Sequence, residues 1–219
     1  RFQALQPRSG QRFQALQPPT RRPLYITCGQ PTLTDEQSSR YFLYIDSLNA
    51  VINGTKNTGE AVTALFMKAV AATAIQDYQQ AIDDLSTYLQ IDSTSVLALW
   101  QRAFCQARIS KFNASEGANT DLSTASVLAD LNHALALRPQ NPYLLYNRAC
   151  IHALRQNYRQ AIDDFTAALT IEPAMAEAYY NRGICYLNSN QKNEAKTDLS
   201  KAGELGLYDA YSVLKRQSL

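Results

Sequence analysis

The 219-residue sequence contains few of the residues that catalytic and metal sites require. It has two histidines, His133 and His152, and its four cysteines form no C-x-x-C pair, so zinc-ligand spacing is absent. A glycine-rich phosphate loop and a serine nucleophile elbow are also lacking. We therefore expect a protein that is not an enzyme, binds no cofactor or metal, and packs its cysteines as small apolar residues in a core.

Long apolar segments and a large excess of one charge are missing as well. The longest apolar stretch, residues 61–75, is interrupted by Lys68 and is shorter than the roughly 20 residues of a transmembrane helix, so we expect no membrane span. The first 22 residues carry five arginines and no acid, whereas the rest of the chain has 16 basic and 19 acidic side chains. Because the excess of basic residues is confined to a short arm and the rest of the chain is mildly acidic, few phosphates could be neutralised. We therefore predict no nucleic-acid binding.

Segments of the sequence recur at a spacing of 34 residues. The tripeptide at Asn147 (Asn-Arg-Ala) is followed 34 residues later by Asn-Arg-Gly at Asn181, and Ala161 is followed at the same distance by Ala195. A repeat of this length predicts a stack of similar units, because each unit has an apolar face that only a neighbouring unit can bury.

These copies resemble the tetratricopeptide repeat, which combines small residues at helix crossings, an Ala-x3-aromatic pair and a closing proline. The third copy shows the pattern best, with Ala149, Ala161, Phe165 and Pro173. The resemblance implies an all-α, right-handed superhelix (an α-α solenoid) of four helix pairs. The copies span residues 62–95, 96–141, 142–175 and 176–209. The end of the chain also looks like the ends of repeat proteins from Bacteroidetes, which implies a bacterial origin.

The remaining segments predict how the stack begins and ends. Residues 1–32 form a basic, proline-containing arm in which the heptapeptide Arg-Phe-Gln-Ala-Leu-Gln-Pro occurs twice, and the solenoid domain covers 33–219. A helix over 34–53 leads the stack, since Thr34 and Gln37 have the spacing of a capping box. A helix over 208–217 caps it, with Tyr208, Tyr211 and Leu214 expected to face inward. The second copy is 46 residues long, and its extra residues, at 111–124, predict an inserted loop because they are rich in Asn, Ser, Thr and Gly.

The resemblance implies that the first helix of each pair lines a concave groove that binds a peptide. Carried onto this sequence, the groove positions are the following: Phe66, Val70, Trp100, Phe104, Arg108, Tyr143, Tyr146, Asn147, Cys150, Tyr180, Asn181 and Ile184. We expect most of them to be partly exposed and to bind a protein or peptide with an apolar segment, because aromatic side chains dominate the set. The family's carboxylate clamp is not expected, since Phe66 and Val70 replace its Lys and Asn.

Two interpretations of the function remain open at this point. The groove binds a partner protein, or the arm of one chain occupies its own or a neighbour's groove and the protein self-associates. The adjacent aspartates at 83–84 and 163–164 are expected on a solvated face of the second helices, because neighbouring helical residues diverge by about 100° and do not converge on one substrate atom.

Overall fold

The computed structural model describes residues 13–16, 24–28, 33–114 and 120–217. The ten helices found there are α1 (Asp35–Gly54), α2 (Thr58–Ala74), α3 (Tyr78–Ile91), α4 (Val96–Ala114), α5 (Thr120–Leu137), α6 (Pro142–Leu154), α7 (Tyr158–Ile171), α8 (Ala176–Asn188), α9 (Lys192–Glu204) and α10 (Asp209–Gln217). The helical fold class predicted from the repeats is therefore confirmed. None of these helices is long and apolar enough to cross a membrane.

A short antiparallel ribbon in the arm was not predicted. It consists of β1 (Phe13–Leu16) and β2 (Leu24–Cys28), with Phe13 opposite Cys28 and Leu16 opposite Leu24. The sequence of β2, Leu-Tyr-Ile-Thr-Cys, is rich in the β-branched and aromatic residues that favour strands, and three prolines lie between the two strands. The first copy of the duplicated heptapeptide, residues 1–7, lies outside the described residues.

The described elements belong to two compact units. The first unit holds α1 to α5, and the second holds both strands and α6 to α10. Within each unit, every helix contacts the next one along the chain. In addition, α2 contacts α4 in the first unit, and α6 contacts α8 in the second. The first helices of the four repeats, α2, α4, α6 and α8, are thus neighbours in pairs, one pair in each unit.

Small residues sit where the two helices of a repeat cross. Ala69, Ala103 and Ala149 are buried at equivalent positions, and Gly183 takes that place in the fourth copy. A Cβ at Gly183 would lie 3.0 Å from Leu199 Cγ, so this crossing leaves no room for a side chain without displacing Leu199. Burial of the apolar faces around such crossings supplies most of the stabilisation, since isolated helices of this length are marginal in water.

Several helices begin at capping residues, and three helix pairs turn through one recurring conformation. Thr34 forms the predicted capping box with Gln37, in which each side chain bonds the other residue's backbone N–H. The first helix of three copies is followed, two positions after its last residue, by a residue with positive φ: Gln76 (66°), Gln156 (61°) and Asn190 (61°). In each turn the following backbone N–H bonds the carbonyl five residues earlier, as Asn157 does with His152 at 2.9 Å. This left-handed turn lets the second helix fold back on the first.

Two local predictions differ from the structure. The inserted segment 111–124 is not a loop throughout, because α4 continues to Ala114 and α5 begins at Thr120. The physical reason is that no Gly or Pro occurs before Gly117 to end α4. In α10 the buried residues are Ala210 and Val213, whereas Tyr208 and Tyr211 are 72% and 46% exposed. The buried face of that helix is therefore rotated from the predicted one, although the Tyr211 ring still lies against Gly203 of α9.

Candidate functional site

The twelve predicted groove residues all lie on first helices, but their exposure differs between the units. Six are half-buried or exposed: Phe66, Val70, Trp100, Arg108, Tyr143 and Asn147. The other six are buried: Phe104, Tyr146, Cys150, Tyr180, Asn181 and Ile184. Five of the buried residues belong to the second unit and one to the first. The expectation of partial exposure thus holds for most of the first unit's residues and fails for most of the second unit's.

In the second unit, the first-helix face is closed by side chains that bond one another. Asn181 of α8 donates from Nδ2 to Tyr146 Oη at 3.0 Å and to Cys150 Sγ at 3.6 Å, and both acceptors are on α6. The Tyr146 ring also meets the ring of Phe165 edge-on, with centroids 5.7 Å apart. These contacts explain the burial of Asn181, because an amide is buried at little cost when it is hydrogen-bonded.

Strand β2 of the arm lies against the same two helices. It contacts α6 and α8, and all three elements belong to the second unit. An extended segment of the chain therefore lies on two adjacent first helices. Sequence reasoning could propose that the arm docks in a groove, but periodicity alone gave no sign of which residues would form the strand.

In the first unit, the corresponding face is formed by aromatic rings, of which Trp100 remains half-exposed and Phe104 is buried. Trp100 stacks on Phe104 with ring centroids 5.9 Å apart, and Phe104 meets Tyr78 edge-on. The guanidinium carbon of Arg108 lies 5.5 Å from the Phe104 centroid and 6.0 Å from that of Tyr78. Two aromatic faces thus hold this cation in place.

Gln101 is a residue of this face that sequence reasoning missed. It is 3% exposed, and its Nε2 has no hydrogen-bond partner in the described part of the chain. The signal that could have singled it out is its register, since Gln101 stands where the third and fourth copies have Asn147 and Asn181.

The paired aspartates are only half solvated, which corrects the sequence prediction. Asp83 and Asp163 are exposed, but Asp84 and Asp164 are buried. Asp164 accepts two bonds from Arg148 at 2.7 and 2.8 Å. The same arrangement recurs in every copy, with these pairs: Lys68–Asp84, Arg102–Asp130, Arg148–Asp164 and Arg182–Asp198. Each pair joins the first helix of a repeat to its second helix, so its role is structural.

Lys68 makes the weakest of these ion pairs. Its Nζ lies 3.1 Å from Asp84 Oδ1, and Asp84 Oδ2 has no hydrogen-bond partner in the described residues. Burial raises the pKa of Asp84 above its ordinary value of 3.8, against the opposing effect of Lys68. The three arginine pairs instead make two bonds to both carboxylate oxygens, as planar guanidinium groups do.

The three cysteines of the helices, Cys105, Cys150 and Cys185, are buried. Burial raises the pKa of Cys105 to about 11 and that of Cys185 to about 12, and it raises the pKa of Cys150 as well. Such thiols carry almost no thiolate, which is the nucleophilic form. Burial also lowers the pKa of His152. No group of three or more His, Cys, Asp and Glu in the described ranges could hold a metal ion.

Comparison with known proteins agrees with this architecture. A family model for the tetratricopeptide repeat matches residues 152–205. Residues 152–205 therefore carry tetratricopeptide repeats. The crystal structure of MamA superposes with a TM-score of 0.66 at 18% identity, over 83% of this chain and 99% of that one. At this identity the likeness shows the tetratricopeptide solenoid fold alone.

Two known proteins are similar to this chain in sequence. Human tetratricopeptide repeat protein 13 is 27% identical over 137 residues, which are 63% of this chain and 15% of that protein. Photosystem I assembly protein Ycf3 of Acaryochloris marina is 27% identical over 94 residues, 42% of this chain and 57% of that protein. The chain thus spans less than two thirds of either relative. Since one relative is human and the other bacterial, the predicted bacterial origin stays a prediction.

Tetratricopeptide-repeat proteins generally mediate protein–protein interaction or complex assembly, and as a family they are scaffolds rather than catalysts. This chain has the helix pairs on which such scaffolds depend.

Proposed function

We propose that this protein is a non-catalytic scaffold that binds an extended segment of a partner protein along the faces of its first helices. The observation that carries the proposal is the position of β2, an extended segment that lies against α6 and α8. Adjacent first helices therefore offer a surface that fits extended backbone. The name of the related Photosystem I assembly protein points toward the same class of function.

The half-exposed aromatic residues are the proposed anchors for the partner. Phe66 and Trp100 in the first unit and Tyr143 in the second retain exposed ring surface. Rigid rings of this kind bury much apolar area at a small cost in side-chain entropy, so the partner segment is expected to be apolar. The buried groove residues, such as Tyr146 and Asn181, are proposed to hold the first helices in register.

The test is a pull-down from lysate of the native cells with wild-type protein and a Trp100→Ala/Tyr143→Ala double variant. Neither substitution removes a fully buried ring. Tyr208→Ala is the matched control, because Tyr208, immediately before α10, is 72% exposed and lies outside the predicted groove. We expect a partner that the wild type and the Tyr208 variant capture and the double variant loses, while circular dichroism shows unchanged helix content. Equal capture by all three would refute the role of the first-helix face.

A second candidate function, self-association, is favoured by the duplication in the arm. Residues 2–5 have the same sequence, Phe-Gln-Ala-Leu, as β1. A first copy from a neighbouring molecule could therefore pair with β2 in place of β1 and link two chains by strand exchange. Light scattering should then report a concentration-dependent dimer that is lost when residues 1–11 are deleted. A monomer at all concentrations would exclude this function.

A further inference from the structure

The first-helix face of the first unit contains a buried hydrogen-bond donor that the described chain does not satisfy. Gln101 of α4 is 3% exposed, and its Nε2 bonds no described atom. A buried amide without a partner destabilises the folded state, so such groups in native proteins need a specific explanation. A ligand that supplies a carbonyl acceptor is one such explanation.

The second unit shows why this donor lacks a partner. Asn181, which occupies the same repeat position as Gln101, bonds Tyr146 Oη and Cys150 Sγ on the preceding first helix. In the first unit, the positions of those two acceptors are taken by Phe66 and Val70. Neither side chain has a hydrogen-bonding atom. The donor is therefore kept in the first unit while its intramolecular acceptors have been replaced by apolar side chains.

Arg108 is a second unsatisfied group on the same helix. Its guanidinium is held against the rings of Phe104 and Tyr78, and its buried Nε has no hydrogen-bond partner in the described chain. Within the described ranges it forms no ion pair, unlike Arg102 on the same helix, which bonds Asp130 through two nitrogens. A fixed, half-buried arginine without a carboxylate is complementary to an anionic ligand group.

The spacing of these two residues defines what could bind both. They are seven positions apart on α4, so they lie on the same side of the helix and about 10 Å apart along its axis. An extended chain rises about 3.3 Å per residue. A backbone carbonyl and a carboxylate about three residues apart in an extended segment would reach both groups.

We propose that Gln101 and Arg108 form a recognition site for an extended, acidic segment of a partner protein. This inference rests on the proposed function and adds the chemistry of the ligand. The backbone carbonyl of the segment accepts a hydrogen bond from Gln101 Nε2, and an Asp or Glu side chain of the segment pairs with Arg108. The apolar remainder of the segment packs on Trp100 and Phe66.

The arm of this chain does not have the chemistry of that ligand. Its 32 residues contain no Asp or Glu, and five of them are arginines. The arm therefore cannot pair with Arg108 through a side chain, and its strand β2 lies on the other unit. The occupant that fits Gln101 and Arg108 is a segment of another protein.

The test begins with random ten-residue peptides displayed on phage and selected on the immobilised full chain. We expect Asp or Glu to be enriched at one fixed position with the wild type and not with Arg108→Gln. Arg108→Lys, which keeps the charge, should retain part of the enrichment. Arg159→Gln is the matched control, because Arg159 is an exposed arginine on the second helix α7.

One selected peptide is then used in a double-mutant cycle, which measures the coupling free energy between Arg108 and the acidic residue of the peptide. We expect Arg108→Gln to raise Kd about tenfold, and Asp→Asn in the peptide to raise it as much, with little further loss when both are changed. Gln101→Leu should weaken binding while raising the Tm of the free protein. A purely structural role for Gln101 would not separate these two effects.

Selected peptides without an acidic preference that bind Arg108→Gln and the wild type equally would overturn this inference and leave the proposed function standing. Failure to select any peptide on a folded chain would count against both.

Discussion

The first-helix faces of the two units are built on the same repeat and differ in how their polar groups are satisfied. In the second unit, Asn181 bonds Tyr146 and Cys150, and β2 lies on both helices that carry these residues. In the first unit, Gln101 Nε2 is buried and has no hydrogen-bond partner among the described residues, and the ring of Trp100 is half-exposed. The buried amide of Asn181 on the second unit's face is hydrogen-bonded within the chain. On the first unit's face, the Gln101 Nε2 donor and the Arg108 cation have no hydrogen-bond or ion-pair partner in the described part of the chain.

The difference shows that the residues shared by all repeats determine how the helices pack. A few variable positions determine which polar groups on each first-helix face are hydrogen-bonded within the chain. Small crossing residues and buried ion pairs recur in all four copies. The variable positions are those of Phe66 and Val70, which Tyr146 and Cys150 replace in the second unit. Variants that exchange these features between the units therefore test the comparison directly.

The largest effect is expected when a buried carboxylate loses its cation. Arg182→Met leaves Asp198, whose side chain is 5% exposed, without the two bonds it now accepts, and should lower the free energy of unfolding by about 3 kcal/mol. Urea denaturation followed by circular dichroism measures this loss. The double variant Arg182→Met/Asp198→Leu should recover most of it, and an equal loss in both variants would contradict the assigned role of the pair.

Removing the side-chain amide of Asn181 should lower the free energy of unfolding, whereas removing that of Gln101 should raise it. Asn181→Leu breaks two buried hydrogen bonds and should cost about 2 kcal/mol, since Tyr146 Oη loses a donor. Gln101→Leu removes a donor that has no partner and should stabilise the chain by about 1 kcal/mol. Urea midpoints of the two variants measured side by side decide the matter. A loss of stability in both would mean that Gln101 is satisfied in the free protein.

Replacing the lysine of the first copy by arginine should make its ion pair like the other three. Lys68→Arg offers a second donor to Asp84 Oδ2 and should raise the free energy of unfolding by about 1 kcal/mol at pH 7. The gain should depend on pH. Because burial raises the pKa of Asp84, the folded state binds a proton more readily than the unfolded state does.

That linkage makes the wild type lose stability as pH rises through the raised pKa of Asp84, and regain it as pH falls toward the ordinary value of 3.8. Arginine lowers the folded-state pKa, so the advantage of Lys68→Arg should be full at pH 7 and disappear below pH 3.8. Denaturation midpoints at a series of pH values provide the check. An advantage that is constant across the series would show that Asp84 is not its source.

The sequence allowed the helix pairs to be predicted because their causes are local and repeated. Ala149 and Gly183 mark helix crossings, and Thr34 marks the start of α1. Whether the side-chain amides of Gln101 and Asn181 have hydrogen-bond partners could not be predicted from the repeat pattern. It depends on which side chains lie on the preceding first helix. The strands of the arm escaped prediction because they lie outside the 34-residue repeat. Helix α4 extends past its predicted end because a polar composition does not by itself end a helix.

The smallest effect is expected at the turns, where the two units should behave alike. Gln76 and Gln156 have positive φ, which glycine adopts without steric cost. Gln76→Gly and Gln156→Gly should each stabilise the chain by about 0.5 kcal/mol, since relief of strain exceeds the added entropy of the unfolded chain. Gln160→Gly, at an exposed helical position of α7, is the matched control and should cost about 1 kcal/mol. Equal gains in the free energy of unfolding at Gln76 and Gln156 would mean that the two units differ only in their first-helix faces. Unequal gains would mean that the turns between their helices differ as well.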